Sequence, residues 1–392
     1  MATTARGILS RISTRPTWAE VSLATLRRNF RVLEEHVGGN VTICAVVKAD
    51  AYGHGGVDCA VALEAAGARW LGVTSLDEAI PLREAPVRSR ILLMTGFWRG
   101  EEEEIVGLGL TPTVWEPWQI ESLNRASGKL GVGKHPVHLK VDSGMGRLGV
   151  GLQMLPRLIE ILKAADHLSL EGLSTHLACA EVLDAPSVQQ QLKTFDEARG
   201  LLRAAGLTPA LVHVANSSAV ISRRTTWNNM IRPGLALYGY YLPFQRAGRE
   251  VSGSALRVSV KPALTWKTRI LALRDMEANQ ALGYGGTYVT KTPARIAVLP
   301  VGYADGLNRA LSSAGRVIVR DHYAPIIGLI SMDLTLIDVT GIARVEVGDE
   351  VILLGTSDGL TVSAQEHADM ANTIAYEILC AISKRVPRRY TA

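Results

Sequence analysis

A lysine that follows a buried strand is the first residue in this chain with the chemistry of a nucleophile. Lys48 follows the apolar run 41–47 and precedes the segment Tyr52-Gly53-His54-Gly55. Partial desolvation at such a strand end lowers the pKa of a lysine and frees its amine for attack. The small residues and the phenol that follow suit a bound phosphate group. The alternative interpretation is a lysine that extends its charge to the rim of the sheet.

More polar residues follow other apolar runs. Lys140 shares a strand face with His138 and Asp142, because side chains alternate along a strand, and buried charges need partners. An internal salt-bridge cluster with Arg147 is the alternative to a catalytic role. For His176 the alternative is a hydrogen-bonded core histidine. The other candidates at strand ends are Asn216, Ser217, Arg232 and Gly234.

Eight apolar runs precede or contain these residues, and helical patterns such as 23–37, 152–165 and 188–205 alternate with them. Apolar strands separated by helices indicate a parallel sheet. Eight such units predict an α/β fold of the (β/α)₈ type, a TIM-type barrel with catalytic groups at the carboxyl ends of its strands. A doubly wound open sheet is the competing topology. The eight runs are 41–47, 70–73, 91–94, 111–114, 137–141, 168–173, 210–214 and 230–232.

The pattern changes after residue 252, where short alternating runs are separated by turn residues and followed by one helical pattern over 363–384. This predicts a second, mainly antiparallel β domain. We predict a flexible basic extension over 1–17, a barrel over 18–252 and a β domain over 253–392, with the boundary at 252–254. The predicted strands of the β domain are 263–273, 294–301, 316–319, 325–330, 334–339 and 350–354.

Composition excludes several classes of protein. The 392 residues have the length of about two domains. The net charge of +5 is scattered, and aromatic residues make up 5%, which argues against nucleic-acid binding. No apolar run approaches the roughly 18 residues of a membrane-spanning helix. Four separated cysteines without a CxxC pair argue against a metal module and a disulfide framework. We expect a cytoplasmic protein without a metal.

Nine segments, taken in order, resemble the alanine racemases, which are pyridoxal-phosphate enzymes with a barrel and a β domain. The resemblance runs from about residue 17 to residue 390. It rests on AVVKADAYGHG (45–55), HLKVDSGMGRLG (138–149), STHLACA (174–180), HVANSSA (213–219), IRPGLALYG (231–239), LGYGGTY (282–288), VGYADGLNR (301–309), SMD (331–333) and AYEILCAISKRVPRRY (375–390).

The resemblance implies two proton-transfer groups, one on each face of the substrate. Lys48 would hold pyridoxal 5'-phosphate covalently and act as one base, and Tyr284 would act as the other. His176 would hydrogen-bond the tyrosine and contact Arg232, which would face the pyridine nitrogen. Because arginine does not release its proton, the ring nitrogen would stay unprotonated and the cofactor would be a weaker electron sink.

The other implied contacts hold the cofactor and the substrate. Arg147 would contact the cofactor phenolate and the substrate carboxylate, and the backbone N–H of Met332 would bind the same carboxylate. Lys140 would be carbamylated and position Arg147. Asp333 would support the site. The residues that would hold the phosphate are Tyr52, Ser217, Tyr376 and the backbone of Gly234 and Leu235.

The resemblance further implies a head-to-tail homodimer that makes D-alanine for peptidoglycan. Tyr284, Met332 and Asp333 would come from the partner subunit. No nucleic-acid or membrane partner is implied. The sequence departs from many family members at the substrate entrance, which puts the breadth of substrates in question. The departures are Leu329, Ser331 and Glu181.

Three alternative activities stay open. A related decarboxylase of basic amino acids would share both domains, but it would not need a tyrosine base such as Tyr284. A non-catalytic pyridoxal-phosphate carrier would lack the β domain. A racemase for serine or for many amino acids would share the whole site. Tyr376 would crowd the substrate side chain, which favours the methyl group of alanine.

Overall fold

The computed structural model describes residues 15–251, 256 and 258–392, and the chain divides into two compact units. The barrel unit is Thr25–Lys261. The β unit combines the chain up to Ala24, including β1 (Thr17–Ser22), with Pro262–Ala392. The predicted boundary at 252–254 lies outside the described residues. Among the described helices, none has both the length and the apolar character needed to cross a membrane.

Eight parallel strands close into a barrel in the barrel unit. Each strand overlaps one of the eight predicted runs, so the barrel prediction is confirmed and the open sheet is wrong. A small hairpin of β10 (Gln245–Arg246) and β11 (Arg249–Glu250) follows the barrel. The barrel strands are β2 (Thr42–Val46), β3 (Trp70–Val73), β4 (Arg90–Leu93), β5 (Thr111–Val114), β6 (His135–Lys140), β7 (Leu168–Ser174), β8 (Leu211–His213) and β9 (Met230–Ile231).

Helices follow the strands because apolar residues recur at helical spacing between them. In the first helix, Leu26, Phe30, Leu33 and Val37 are buried, and the helix ends before Gly38, whose φ of +82° suits a left-handed cap. The helices are α1 (Leu23–Val37), α2 (Gly56–Ala65), α3 (Leu76–Glu84), α4 (Glu102–Gly107), α5 (Pro117–Leu130), α6 (Leu155–Lys163), α7 (Pro186–Ala204) and α8 (Ser217–Ser222).

The β unit is built on a ten-stranded sheet in the order β13-β16-β19-β18-β17-β20-β12-β1-β22, with β21 paired to β20. All pairs are antiparallel except β1 with β22, which confirms the predicted mainly antiparallel domain. A hairpin of β14 (Ala281–Leu282) and β15 (Tyr288–Val289) carries the Gly-rich turn. The other strands are β12 (Leu264–Arg269), β13 (Ala272–Met276), β16 (Ala294–Leu299), β17 (Arg316–Val319), β18 (His322–Ile327), β19 (Thr335–Asp338), β20 (Glu350–Ser357), β21 (Leu360–Val362) and β22 (Arg388–Thr391).

The first described residues belong to the β unit, which corrects two predicted boundaries. β1 pairs with β12 and β22, and the hydroxyls of Thr17 and Thr268 share a hydrogen bond of 2.7 Å. Arg15 forms an ion pair of 2.8 Å with the buried Asp305. Residues 15–17 therefore do not belong to the predicted extension over 1–17, and the barrel does not begin at residue 18. The pattern concealed this because the partners of β1 lie near the other end of the chain.

The predicted helix over 363–384 is also wrong, because two short helices replace it. These are α9 (Ala364–Met370) and α10 (Ala375–Ala381). Asn372 between them has a φ of +52°, in the left-handed region, which ends the first helix. Ser363 caps α9 by accepting the backbone N–H of Glu366 at 3.0 Å. The predicted strand 263–273 is likewise two strands, β12 and β13.

Candidate active site

The charged residues predicted at strand ends gather at one rim of the barrel. Lys48 follows β2, Lys140 ends β6, His176 follows β7 and Arg232 follows β9. Parallel strands of a closed barrel all end at the same rim, so these side chains meet there. The positive charges of Arg232, Lys140 and Lys48 all contribute to the lowered pKa of His176, in agreement with this proximity.

A turn of left-handed helix follows Lys48. Residues 49–52 have φ between +51° and +54°, a conformation that costs about 1–2 kcal/mol per non-glycine residue. Two carboxylates hold this turn. Asp50 accepts the backbone N–H of Gly56, and Glu78 accepts that of Ala49, both at 2.6 Å. The turn buries Tyr52 beside the strand end. Such strain is maintained where the surroundings over-determine it, often at functional sites.

Tyr52, Ser217 and Gly234 form a cradle of hydroxyl and backbone N–H groups. The Ser217 hydroxyl accepts the N–H of Gly234 at 2.9 Å and that of Ala236 at 3.2 Å. A Cβ on Gly234 would lie 2.1 Å from the Tyr52 hydroxyl, so a side chain would fill the cradle. Leu235 begins the 3₁₀ turn that presents these N–H groups. Convergent N–H and hydroxyl groups of this kind bind phosphate.

Arg232 is buried and held by the barrel through both terminal nitrogens. Nη1 donates to Nδ1 and to the carbonyl of His213, each at 2.7 Å. Nη2 donates to the carbonyls of Thr175 and Val214 at 2.8 and 3.2 Å and lies 3.5 Å from Nδ1 of His176. Within the described chain, these contacts leave Nε as the donor available to a ligand. Burial lowers the pKa of Arg232 to about 10, so it stays a cation at neutral pH.

Neighbouring cations shift the two other ionisable groups of the rim. Burial, together with the charges of Arg232 and Arg147, lowers the pKa of Lys140 to about 8. Burial and the same arginines lower the pKa of His176 to about 3. At neutral pH, His176 is therefore neutral, and a minor fraction of Lys140, about a tenth at pH 7, is an unprotonated amine. Lys140 can then react with an electrophile such as carbon dioxide.

The predicted face of β6 consists of His138, Lys140 and Asp142, and not all of it is charged. A partner of His138 was missed by the sequence analysis. His138 Nδ1 lies 2.8 Å from Nε2 of His213, which the sequence reasoning did not single out. The signal for His213 was its position in the run 210–214 that ends at the rim. Asp142 lies beyond the strand, where it accepts backbone N–H groups of Gly144 and Met145 at 2.9 Å. It therefore shapes the turn before Arg147.

The remaining predicted residues lie in the β unit. Tyr284 is 72% exposed and begins a 3₁₀ turn, and Met332 is 53% exposed. Tyr376 lies in α10. The structure thus groups the predicted residues by unit. Lys48, Tyr52, Lys140, Arg147, His176, Ser217, Arg232, Gly234 and Leu235 lie in the barrel unit, and Tyr284, Met332, Asp333 and Tyr376 lie in the β unit.

The turn that carries Met332 is tightly held. Its carbonyl accepts the N–H of Ala304 at 3.1 Å. Arg385 pairs with the adjacent Asp333 at 2.6 Å, and Arg15 lies 3.7 Å from it. The hydrogen bond from Arg385 lowers the pKa of Asp333, so the pair is ionic at neutral pH. The exposed Met332 is therefore fixed from behind.

Both units match one enzyme family. The sequence profile of the N-terminal domain of alanine racemase matches residues 21–242, and that of the C-terminal domain matches residues 263–390. The chain belongs to the alanine racemase family. Curated alanine racemases of Sorangium cellulosum and Symbiobacterium thermophilum are 42% and 41% identical to it, over 96% of this chain and 99% and 97% of their own length.

Solved alanine racemase structures agree with this assignment. The enzyme from D-cycloserine-producing Streptomyces lavendulae has a TM-score of 0.89 at 32% identity, covering 97% of this chain and 98% of its own. That of Bartonella henselae, which holds covalently bound pyridoxal phosphate, has a TM-score of 0.84 at 30% identity, covering 96% and 99%. The predicted family, the predicted fold and the predicted enzyme class, an amino-acid racemase, are confirmed. The roles of individual residues stay predictions.

Proposed function

We propose that this alanine racemase family member interconverts L-alanine and D-alanine with pyridoxal 5'-phosphate held in the barrel unit. The observation that carries the proposal is the set of groups at one rim. Lys48 offers an amine, Arg232 offers Nε, and Tyr52, Ser217 and the side-chain-free Gly234 bring hydroxyl and backbone N–H groups together for a phosphate. These match the carbonyl, the ring nitrogen and the phosphate of the cofactor.

Bound pyridoxal phosphate supplies an electron-withdrawing ring that makes the Cα proton of an attached amino acid acidic. Arg232 tempers this effect. Its guanidinium keeps its proton and would donate through Nε, so the ring nitrogen of the bound cofactor would stay unprotonated. A weaker electron sink slows proton removal, and it also limits competing reactions such as transamination.

Racemisation needs a base on each face of the substrate, and we assign these to Lys48 and Tyr284. Lys48 Nζ takes or returns the proton on one face, and Tyr284 Oη does so on the other. A tyrosine with an ordinary pKa near 10 needs help to act as a base. Arg232 only donates, so Nδ1 of His176 accepts, and its Nε2–H is left to stabilise the phenolate of Tyr284.

The substrate carboxylate is assigned to Arg147 and the backbone N–H of Met332. Lys140 is proposed to carry a carbamate, because its unprotonated amine can attack carbon dioxide and release one proton. The resulting anion would replace a repelling cation beside Arg147 and fix that guanidinium. Tyr376 would add a phenol to the phosphate site and limit the substrate side chain to a small group.

A homodimer with shared sites is part of the proposal. The exposure of Tyr284 and Met332 supports it, because both side chains lie at the surface of the β unit, where a partner could meet them. In this arrangement Tyr284, Met332 and Asp333 act in the site of the partner subunit. The product would serve peptidoglycan synthesis in the cytoplasm.

The decisive experiment is incubation of purified protein with L-alanine and measurement of D-alanine by chiral chromatography. Serine and basic amino acids in parallel incubations test for a broader racemase and for a decarboxylase. Lys48→Ala should remove turnover, whereas Lys163→Ala, a surface lysine paired with Glu160, is the matched control. Release of carbon dioxide without D-alanine would contradict the proposal.

A further inference from the structure

A chain of polar groups runs through the barrel interior away from Arg232. Nη1 of Arg232 lies 2.7 Å from Nδ1 of His213, and Nε2 of His213 lies 2.8 Å from Nδ1 of His138. Nε2 of His138 then lies 3.4 Å from Oε2 of Glu171, which is within ion-pair distance but lacks the geometry of a hydrogen bond. Arg90 holds both oxygens of Glu171. The four contacts link the cofactor rim to a carboxylate within the barrel.

The chemistry of its two ends fixes the direction of this chain. A guanidinium only donates, so Nδ1 of His213 must accept and its Nε2 must carry the proton. Nδ1 of His138 then accepts, and its Nε2 carries the proton on the side of Glu171, at ion-pair distance and not in a hydrogen bond. Ionised Glu171 only accepts. Both imidazoles are neutral in this arrangement, in agreement with the lowered pKa values that burial and neighbouring cations give His138 and His213.

The backbone is adapted to this chain at Glu171. Along the parallel pair β6–β7, Val137 lies opposite Leu170, but His138 lies opposite Gly172, so Glu171 is the extra residue of a bulge. A bulge re-aims a side chain, and it is rare between parallel strands. A Cβ on Gly172 would lie 2.4 Å from the His138 ring, so the glycine makes room for the imidazole.

Glu171 is fixed and charged. Burial opposes its ionisation, but His138 and Arg90 lower its pKa to about 2. The guanidinium of Arg90 stacks 4.1 Å above the ring of Trp70, which in turn packs against His138. Arg90 also donates to the hydroxyl of Thr111. The carboxylate therefore cannot swing away without breaking a two-point ion pair.

We propose that Glu171 is a positioning residue that acts through His138 and His213 to anchor the guanidinium of Arg232, so that Nε stays aimed at the cofactor ring. The carboxylate polarises both imidazoles along the chain, which strengthens the acceptor at Nδ1 of His213. The cofactor part of this inference rests on the proposed function. The chain of polar contacts itself does not, because it consists of barrel residues alone.

The chain is tested first without cofactor, by ¹⁵N spectroscopy of histidine-labelled protein. Both His138 and His213 should be neutral and protonated at Nε2. Glu171→Leu, which removes the acceptor, should move the ¹⁵N signals of both rings, and Glu171→Gln, which keeps a neutral acceptor, should move them less. Glu160→Gln on the surface of α6 is the matched control. A Glu171→Leu protein with unchanged His213 signals would overturn the proposal.

The consequence for catalysis is tested with the loaded enzyme and L-alanine. Glu171→Leu should lower kcat roughly tenfold, at the lower end of the loss seen when partners that orient functional ligands are removed. KM for alanine should stay unchanged, and Glu171→Gln should fall between Glu171→Leu and wild type. A loss of thermal stability with unchanged kcat and His213 signals would make Glu171 merely structural. If neither the wild-type protein nor any variant racemises alanine, the proposed function is wrong. The ¹⁵N signals would still test the chain of contacts between Arg232 and Glu171, because they do not depend on activity.

Discussion

The two units present their predicted site residues in opposite ways. In the barrel unit, groups such as Arg232 and Ser217 are buried and hydrogen-bonded to other barrel residues, and Arg147 is the exposed exception. In the β unit, Tyr284 and Met332 are largely exposed, and their surroundings only hold the backbone in place. The site residues of the barrel unit are arranged to bind a group inside that unit, whereas those of the β unit are exposed at its surface.

This difference indicates a division of labour. Buried cations and neutral histidines are costly in a core unless a ligand or a network uses them, so the barrel unit has the features of a cofactor site. An exposed tyrosine on a rigid turn gains no stability from that position. Its use must come from a surface that it meets, which under our proposal belongs to the partner subunit.

The largest expected effect separates cofactor attachment from proton transfer. Lys48→Ala should abolish both racemisation and covalent attachment, because one amine performs both. Tyr284→Phe should lower racemisation by roughly 10²–10⁴-fold, the usual value of a proton-transfer group, but retain the cofactor. Visible absorbance of the bound cofactor and chiral assay of alanine measure the two properties separately.

Tyr303→Phe is the control for this comparison, since Tyr303 lies in a 3₁₀ turn of the same unit and is also exposed. It should retain most activity. A Lys48→Ala protein that still holds the cofactor covalently would contradict the assignment of Lys48, and a fully active Tyr284→Phe protein would contradict that of Tyr284.

Mixing the two inactive variants tests whether a site takes one residue from each chain. After subunit exchange, about half of the dimers should be mixed, and each should contain one intact site of two. Activity should therefore return to roughly a quarter of wild type. If both bases came from one chain, every site would keep a defect, so persistent inactivity after exchange shown by mass spectrometry would refute the shared site.

The predicted carbamylation of Lys140 concerns the barrel unit alone. The Lys140 pKa of about 8 leaves more reactive amine as pH rises, so carbamate should increase with pH and bicarbonate and decline below about pH 8. Intact-mass measurement under gentle conditions should show one added carbon dioxide, absent in Lys140→Ala. That variant should lose roughly tenfold or more in kcat.

Added acetate should restore part of the Lys140→Ala activity by supplying the missing anion, and it should not help the surface control Lys163→Ala. A bare ammonium on Lys140 in bicarbonate buffer at pH 9 would rule out the modification.

The barrel was more predictable than the β unit for a physical reason. Parallel strands are buried on both faces, so a run such as 70–73 can be recognised as a continuous apolar segment, and it matched its strand. In the β unit, pairing between segments that are distant in sequence decides which segments form strands. β1 could not be recognised because its partners lie far along the chain, and Asn372 broke a helix whose apolar pattern continued beyond it.

The candidate site was likewise predictable only where a local sequence pattern marks the residue. Lys48 and Arg232 were predictable because they follow apolar strands directly and the motifs around them are specific. Glu171 was not, because a bulge turns it toward His138, and no local pattern marks a bulge between parallel strands. His213 was hidden for a similar reason, since a single histidine at a strand end does not reveal its partner.

The smallest effect concerns acid stability and compares the units directly. Burial lowers the pKa of four barrel histidines, with that of His176 at about 3, whereas in the β unit burial lowers that of His367 to about 4. The barrel histidines are His135, His138, His176 and His213. The pKa of a histidine in the unfolded chain is near 6.5. Below that pH, these histidines are protonated in the unfolded chain but stay neutral in the native protein. Stability is therefore lost as pH falls from 6.5 toward the pKa values of these histidines in the folded protein.

Between pH 7 and pH 5 the barrel unit should thus lose more free energy of opening than the β unit. Hydrogen exchange followed by mass spectrometry, corrected for the intrinsic pH dependence of exchange, measures opening in each unit of the intact protein. His367→Gln should remove most of the loss in the β unit and leave the barrel unit unchanged. Equal losses in the two units of the wild-type protein would indicate that the buried histidines of the barrel are already protonated at neutral pH. The chain of neutral imidazoles between Arg232 and Glu171 would then be wrong.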